Sequence, residues 1–281
     1  MVNINGQLFE EDEASLSIAN RGFAYGDAVF ETIRVINGRI IFWEDHYFRL
    51  MASMRIMRME IPLSFSPEFL EAEILQIVRE NNLFESQARL KFIVSRKPGG
   101  FYTPATNEID YLINAQSLPD AFYLLNDDFY EVELFKDHYV TAGLLSTLKT
   151  NNKAVNVLAG IYASENDYHN CLLLNEQKNV VEALNGNLFL VVGNVIKTPP
   201  LKDGCLKGIT RGKILEIVKK LPDYRIEEAS ISPFELQKAD EMFISNVVMG
   251  IQPVRKYRKK EYATEVAKTL VGRLNTMARL S

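Results

Sequence analysis

The chain has 281 residues, of which 47% are hydrophobic and 24% charged, and its formal net charge is −4. This composition is typical of a globular protein with one large or two medium domains, and the negative charge gives nucleic-acid binding no electrostatic support. Cys171, Cys205 and three scattered histidines offer neither a disulfide framework nor the spacing of metal ligands. Without a basic leader or an apolar run of about 20 residues, we expect a cytoplasmic protein with no metal and no membrane or nucleic-acid partner.

The first half of the chain predicts a mixture of strands and helices. Asn-Gly between β-rich flanks favours a two-residue hairpin turn, and a switch of the apolar period to 3.6 indicates a helix. The predicted elements are hairpin turns at Asn5-Gly6 and Asn37-Gly38, helices over 43–59 and from Ser66-Pro67, a strand over 88–96 and a loop over 97–104.

The second half is richer in strands. Residues 117–120 are a plausible linker, so we predict a small α/β domain over 1–117 and a large domain with a β-rich core over 118–281. Frequent hairpins among the helices favour an α+β fold over a parallel Rossmann sheet. The predicted elements are strands within 130–145, a helix over 155–168, a meander over 171–200 with a turn at Gly193-Asn194, a helix over 208–221, an apolar strand ending in a loop over 241–254 and a helix over 265–278.

The stretch "STLKTNNKAV" raises the question of whether a lysine carries the chemistry of this protein. A lysine that forms a Schiff base needs an apolar setting that lowers its pKa, and Leu144, Leu145 and Leu148 precede Lys149. Lys153 offers the same amine in a more polar setting, and a solvated surface lysine is the alternative for both.

Three other features suggest a site for a charged cofactor. Glu182 ends an apolar strand, where a buried carboxylate would need a cationic partner; an edge-strand glutamate facing water is the alternative. Gly208 precedes the amides of Ile209 and Thr210 at a helix start, which suits a phosphate or is a plain helix cap. Arg49 has the planar fork that matches phosphate, unless it is a helix-surface arginine.

Together these residues resemble the class IV aminotransferases, or fold-type IV pyridoxal phosphate enzymes. The resemblance also rests on blocks that follow in this order: "RGFAYGDAVFETIRVINGRI", "EDHYFRL", "LKTNNKA", "VVEALNGNLFLV" and "ADEMFISNVVMGIQPV". The resemblance implies a two-domain subunit like that of D-amino-acid aminotransferase, pyridoxal 5'-phosphate between the domains, and a homodimer. It implies Lys149 as the Schiff-base lysine and Glu182 as the partner of the pyridine nitrogen. The phosphate would be held by Arg49, Ile209, Thr210, Asn246 and Val247.

The same resemblance bears on the reaction. Branched-chain enzymes carry Gly-Asn-Tyr after the lysine and Tyr-x-Arg on the strand that here reads Arg89-Leu90-Lys91, and D-amino-acid enzymes carry Arg-x-His after that strand. The block "LKFIVSRKPGGFY" is closer to 4-amino-4-deoxychorismate lyase, which forms 4-aminobenzoate and pyruvate in folate synthesis. However, Phe101 stands where the lyases have an arginine.

The substrate residues follow from the same blocks. Phe30, Arg96 and Tyr102 are candidates, and Arg96 is equally well explained as a structural residue at a strand end. The alternatives to the lyase are an aminotransferase acting on D-amino or branched-chain amino acids with 2-oxoglutarate, and a non-catalytic binding protein of the same fold.

Overall fold

The computed structural model describes residues 1–120, 122–126 and 128–281. The chain forms two compact units, the first of Met1–Ala121, Lys149–Asn152 and Ser281, and the second of Phe122–Leu148 and Lys153–Leu280. The first unit thus includes five residues far along the chain, Lys149–Asn152 and Ser281. The division into domains over 1–117 and 118–281 stays a prediction.

Among its described residues, the first unit contains an antiparallel sheet and three helices. Its strands are β1 (Val2–Ile4), β2 (Gln7–Phe9), β3 (Ala28–Ile36), β4 (Arg39–Ile40), β5 (Gln87–Arg96) and β6 (Ile109–Ser117), and its helices are α1 (Arg21–Tyr25), α2 (Trp43–Ile56) and α3 (Pro67–Glu80). The strand order is β2-β1-β6-β5-β3-β4.

The core of the first unit lies between the sheet and helices α2 and α3. Strand β5 buries every second residue over most of its length, including Leu90 and Phe92, and α2 and α3 bury Leu50 and Ile74 in the same cluster. Period-2 and period-3.6 apolar patterns thus meet in one core. Two-residue turns join β1 to β2 and β3 to β4 where Asn-Gly predicts them, with positive φ at all four turn residues.

The second unit, over the residues described, contains two mixed sheets and four helices. Its strands are β7 (Glu131–Val140), β8 (Asn170–Asn175), β9 (Val180–Ala183), β10 (Asn187–Val192), β11 (Val195–Thr198), β12 (Arg225–Glu228), β13 (Glu241–Asn246), β14 (Gly250–Val254), β15 (Lys256–Tyr257) and β16 (Lys260–Glu261), and its helices are α4 (Ala154–Glu165), α5 (Ile209–Val218), α6 (Pro233–Leu236) and α7 (Glu265–Leu280).

The two sheets of the second unit share an apolar core. One has the order β12-β11-β10-β13-β14 and the other β16-β15-β7-β8-β9, and buried residues of both, such as Leu172 and Leu188, belong to the same cluster. The turn at Gly193-Asn194 joins β10 to β11 as predicted. Residues 241–254, predicted as an apolar strand ending in a loop, form the strand β13, a tight turn and a second antiparallel strand, β14, where the prediction has a loop.

Helices and largely antiparallel sheets in the same units confirm the predicted α+β class. Within the described ranges, no helix is both long enough and apolar enough to cross a membrane.

Candidate active site

Lys149 is held by the main chain beside strand β3. Its carbonyl oxygen accepts a hydrogen bond from the Phe30 amide at 2.8 Å, and the Asn151 amide donates to the Ala28 carbonyl oxygen at 3.1 Å. The segment therefore pairs with the edge of β3 shortly before α4 begins. The half-buried side chain places Nζ 4.5 Å from the centroid of the Phe30 ring, a cation–π distance. The backbone thus fixes the base of this lysine.

A second ammonium lies at the same ring. Thr32 pairs with Lys91 across β3 and β5, and because side chains alternate along a strand, Phe30, Thr32 and Lys91 share one face of the sheet. Lys91 Nζ lies 5.1 Å from the Phe30 ring centroid. This face therefore presents two amines and an aromatic ring, a combination suited to an anionic substrate.

The opposite face of β3 carries a buried charged cluster, which we call the Glu31 cluster: Glu31, His46 and Arg49. The guanidinium of Arg49 donates to both carboxylate oxygens of Glu31, at 2.8 and 2.5 Å, and His46 Nδ1 lies 2.7 Å from Glu31 Oε2. Burial raises the pKa of Glu31, but the charge of Arg49 and the hydrogen bonds from His46 and Arg49 outweigh it and lower the pKa to about 2. Glu31 is therefore ionised, and the alternative of a helix-surface arginine is wrong for Arg49.

Arg96 has contacts that favour the structural alternative for it. Its guanidinium donates to the Asp27 carboxylate, to the carbonyl oxygens of Met57 and Arg58, and to Asn107. The side chain is buried, so the contacts tie the end of β5 to neighbouring loops. Its role as a substrate residue stays a prediction that these contacts do not support.

Tyr102 lies on the loop after β5 and is 92% exposed. The loop backbone is held by Arg21, whose guanidinium donates to the carbonyl oxygens of Gly99 and Phe101 at 3.1 and 2.7 Å. The Tyr102 ring contacts Tyr25 at 5.8 Å between centroids. The loop thus has a fixed backbone and outward-facing aromatic side chains.

Glu182 lies in the second unit, on the edge strand β9. The residue keeps only 8% of its exposure, and its Oε2 accepts a hydrogen bond from the Leu206 amide at 2.9 Å. The alternative of an edge-strand glutamate facing water is therefore wrong. A buried carboxylate of this kind suits a cationic partner.

Helix α5 begins at Ile209, directly after Gly208, as predicted. Among the described residues the N-cap makes no side-chain hydrogen bond to this helix, and a Cβ on Gly208 would lie 2.0 Å from Asn187 Oδ1, so a larger residue would force the Asn187 side chain to move. The Thr210 hydroxyl is buried and finds no hydrogen-bond partner among the described residues. An unsatisfied hydroxyl at a helix N-terminus, where the backbone dipole favours anions, fits a phosphate.

Ser245 and Asn246 end strand β13. The Asn246 side chain accepts hydrogen bonds from the amides of Val248 and Met249 at 2.9 and 2.8 Å, which shapes the turn after Asn246. The Val247 carbonyl oxygen accepts from the Tyr123 hydroxyl. In the part of the chain that the structure describes, the buried Ser245 hydroxyl also lacks a partner.

Residues of each unit, taken separately, suit the groups of a phosphate-bearing cofactor. The second unit holds a buried carboxylate, an uncapped helix start and two buried hydroxyls that lack partners among the residues described. The first unit holds a half-buried lysine and a largely buried arginine. Among the residues that the structure describes, no group of three or more His, Cys, Asp or Glu residues has the arrangement of a metal site.

Comparison with known proteins identifies the family. The family model described as amino-transferase class IV matches residues 28–257 of the sequence. The chain therefore belongs to this family. It is 30% identical to a putative branched-chain-amino-acid aminotransferase of Methanocaldococcus jannaschii over 90% of this chain and 86% of the relative. It is 29% identical to a D-alanine aminotransferase of Listeria monocytogenes, with 90% and 86% covered, and 26% identical to an aminodeoxychorismate lyase of Vibrio harveyi, with 94% and 97% covered.

Solved structures confirm the fold-type IV architecture. The branched-chain aminotransferase of Thermoproteus uzoniensis superposes with a TM-score of 0.86 at 26% identity, with 99% of this chain and 93% of its own covered. The 4-amino-4-deoxychorismate lyase of Pseudomonas aeruginosa gives 0.84 at 25% identity, with 98% of each chain covered.

A third solved structure bears on the cofactor. It is a branched-chain amino acid aminotransferase complexed with N-(5'-phosphopyridoxyl)-L-glutamate, and it superposes with a TM-score of 0.87 at 25% identity over all of this chain and 94% of its own. The chain is therefore an enzyme that depends on pyridoxal phosphate, and its named relatives divide between aminotransferases and lyases.

Sequence reasoning missed several residues of this site. Glu31 interrupts an otherwise apolar buried row on β3, and His46 precedes the predicted Arg49 by three residues on α2. Together these patterns are a signal for a buried charged cluster. The pairing of Thr32 with Lys91 and the burial of the Ser245 hydroxyl depend on register and packing, for which the sequence has no local signal.

Proposed function

We propose that this enzyme is a 4-amino-4-deoxychorismate lyase, which releases pyruvate and 4-aminobenzoate for folate synthesis. The strongest support comes from the sequence of β5 and of the loop after it, and from the position of Lys91 on β5. Their sequence follows the lyase block, and β5 brings Lys91 to the same aromatic ring as Lys149. We also propose a cytoplasmic homodimer.

The proposed cofactor residues come from both units. Pyridoxal phosphate, when bound, supplies an aldehyde that reacts with amines and a ring that accepts electrons. Lys149 would carry it covalently, Glu182 would keep its ring nitrogen protonated, and Arg49 would bind the phosphate. Further phosphate contacts would come from the amides of Ile209 and Thr210, the Thr210 hydroxyl, and the turn at Asn246 and Val247.

In the proposed reaction, Lys149 acts as the base that removes a proton from the substrate carbon bearing the amine. The bond from the ring to the enolpyruvyl oxygen breaks with its electron pair going to that oxygen. The released enolate takes up a proton at its methylene carbon to become pyruvate, and the remaining ring becomes aromatic. The substrate has two carboxylates, and we assign one of them to Lys91, on the face that also presents Phe30. Tyr102 would contact the substrate from the loop after β5.

An aminotransferase acting on D-amino or branched-chain amino acids is the second candidate. It is favoured by the two relatives of higher identity, both named aminotransferases. The cofactor residues serve either reaction, because both begin with loss of a proton from the amine-bearing carbon.

A substrate screen on the purified holoenzyme separates the two. We expect equal amounts of pyruvate and 4-aminobenzoate from aminodeoxychorismate, measured with lactate dehydrogenase and by fluorescence. Conversion of 2-oxoglutarate to glutamate with a D- or branched-chain amino acid, without pyruvate from aminodeoxychorismate, would replace the lyase by an aminotransferase.

Lys91→Met tests the assigned carboxylate partner. Loss of a charge-assisted hydrogen bond is expected to raise KM for aminodeoxychorismate by about 10- to 100-fold, while cofactor binding stays unchanged. Lys97→Met is the matched control, since Lys97 is exposed and pairs with Glu108 at 2.8 Å. Equal KM values for both variants would remove Lys91 from the substrate site.

A further inference from the structure

The Glu31 cluster lies in a buried position where apolar side chains would cost less free energy to bury. On the buried face of β3, Glu31 stands in a row with Val29, Ile33 and Val35, all buried. Taking charged groups out of water costs free energy, and a buried ion pair is often matched or exceeded in stability by apolar residues of similar size. Stability alone therefore gives little reason for this cluster.

The contacts of Arg49 show what the cluster does to its guanidinium. Nε donates to Glu31 Oε1 at 2.8 Å and Nη2 donates to Oε2 at 2.5 Å, so carboxylate and guanidinium meet edge to edge. Such a paired contact fixes both the plane and the rotation of the guanidinium. The Arg49 side chain keeps 11% of its exposure, so it is not wholly enclosed.

His46 in turn fixes the carboxylate. It is fully buried, and its Nδ1 lies 2.7 Å from Glu31 Oε2. Because an ionised carboxylate only accepts hydrogen bonds, Nδ1 carries a proton. Nε2 is buried and has no hydrogen-bond partner among the described residues, so a proton there would be unsatisfied and the neutral ring is favoured. Burial lowers the pKa of His46, and the hydrogen bond and charge of Glu31 offset this only in part, which agrees with a neutral ring. His46 thus orients Glu31 without adding a second buried cation.

We propose that Glu31 and His46 are positioning residues that hold the Arg49 guanidinium in the orientation required to bind the cofactor phosphate. The inference rests on the proposed function only in the assignment of Arg49 to the phosphate. It adds an ordered chain, His46 to Glu31 to Arg49, in which each member fixes the next. This resembles the way in which outer-shell partners orient the ligands of a metal.

The test compares pyridoxal phosphate with pyridoxal, which lacks the phosphate. The full-length protein is resolved from its cofactor, and each compound is titrated back while absorbance is followed. Glu31→Gln should weaken pyridoxal phosphate binding by about 10- to 100-fold, as for residues that orient metal ligands, and leave pyridoxal binding unchanged. His46→Asn, which can keep a donor near the position of Nδ1, should weaken it less.

Controls separate this role from a general loss of structure. Glu73→Gln alters another carboxylate of the first unit, which accepts hydrogen bonds from Asn3 and Tyr111 at 2.8 Å; it should leave both affinities unchanged. If Glu31→Gln lowers both affinities equally, or neither, the proposal is wrong. If Glu31→Gln does not fold, as judged by circular dichroism, the affinities of His46→Asn for pyridoxal phosphate and pyridoxal are compared instead. If neither variant folds, the positioning role is overturned.

Arg49→Met distinguishes this inference from the proposed function. If Arg49→Met binds pyridoxal phosphate as tightly as the wild type, Arg49 is no phosphate ligand and the functional assignment fails with the inference. If Arg49→Met weakens pyridoxal phosphate selectively but Glu31→Gln does not, only the positioning role is lost. In the Arg49→Met background, Glu31→Gln should cause no further selective loss, because its effect passes through Arg49.

Discussion

Thr210 buries a hydroxyl without a hydrogen-bond partner on the described residues, at the start of α5. A buried polar atom in this state costs about 1–3 kcal/mol. The Ser245 hydroxyl is in the same state at the end of β13. Such a cost is understandable if both hydroxyls bind an anion, and it makes a prediction about stability as well as about binding.

Thr210→Val should leave the cofactor-free protein as stable as the wild type or more stable, because valine has a similar shape and no hydroxyl to satisfy. The same change should weaken pyridoxal phosphate binding by about tenfold or more, through the loss of a hydrogen bond to a charged group. Urea unfolding and cofactor titration measure the two effects. A variant that is destabilised yet binds the cofactor normally would show that Thr210 is structural.

Lys149 and Lys153 are close in sequence but belong to different units. Borohydride reduction of the holoenzyme followed by peptide mapping should place the pyridoxyl label on Lys149. Lys149→Ala should abolish turnover, because the proposed base is lost, whereas the matched variant Lys153→Ala should retain it. A label on Lys153 would move the chemistry to the other lysine.

At the scale of elements, local signals are sufficient for most of the helices and hairpins. Asn-Gly turns and Ser66-Pro67 act through φ angles and capping, which depend on a few neighbouring residues. The division between β13 and β14 is concealed in the sequence, because apolar residues continue on both sides of the turn. The Glu31 cluster leaves a partial signal, an acidic residue in an apolar row of β3, but its hydrogen bonds depend on how α2 packs on β3.

The contact between α2 and β3 also predicts a pH dependence. Because the pKa of His46 is lowered in the folded state, the unfolded chain takes up a proton first as the pH falls below the usual value near 6.5. Stability should therefore fall with pH in this range, by at most about 1.4 kcal/mol per pH unit from this group. Glu31 does not contribute there, because it titrates between its usual 4.5 and about 2.

Urea titrations of the cofactor-free protein from about pH 7.5 to pH 5 measure this slope. His46→Asn should reduce it, whereas His138→Asn, at an exposed histidine, should keep the wild-type slope. If His46→Asn keeps the wild-type slope, the pKa of His46 is the same in the folded and the unfolded chain, and the expected contribution of this group is wrong.

At the scale of the whole molecule, the family and its cofactor could be predicted from blocks spread along the chain, and the comparisons confirm both. The specific reaction could not, because lysine, glutamate and phosphate contacts serve all activities of the family. In the proposal, substrate choice rests on a few positions such as Lys91 and Phe101, and single residues can change while the fold persists.

The proposed homodimer is a further property at this scale. Helix α4 leaves Val157, Leu158 and Ile161 exposed, and an exposed apolar patch commonly marks a protein interface. Sedimentation should give twice the monomer mass of 32.0 kDa. Ile161→Asp should shift the mass toward the monomer, whereas Val192→Asp, at another exposed apolar residue, should not. A wild-type protein of monomer mass at micromolar concentration would contradict the dimer.

The pairing of residues 149–151 with β3 has a consequence for folding during synthesis. The segment that covers this edge of β3 is translated long after β3 itself, so closing the contact requires a large loop and lies late in folding. Until then, Ala28 and Phe30 present unpaired main-chain groups, and open sheet edges are sites of aggregation. A fragment ending near residue 120 would keep that edge permanently open, so we expect such a fragment to aggregate more readily than the full chain, in which the segment carrying Lys149 covers the edge.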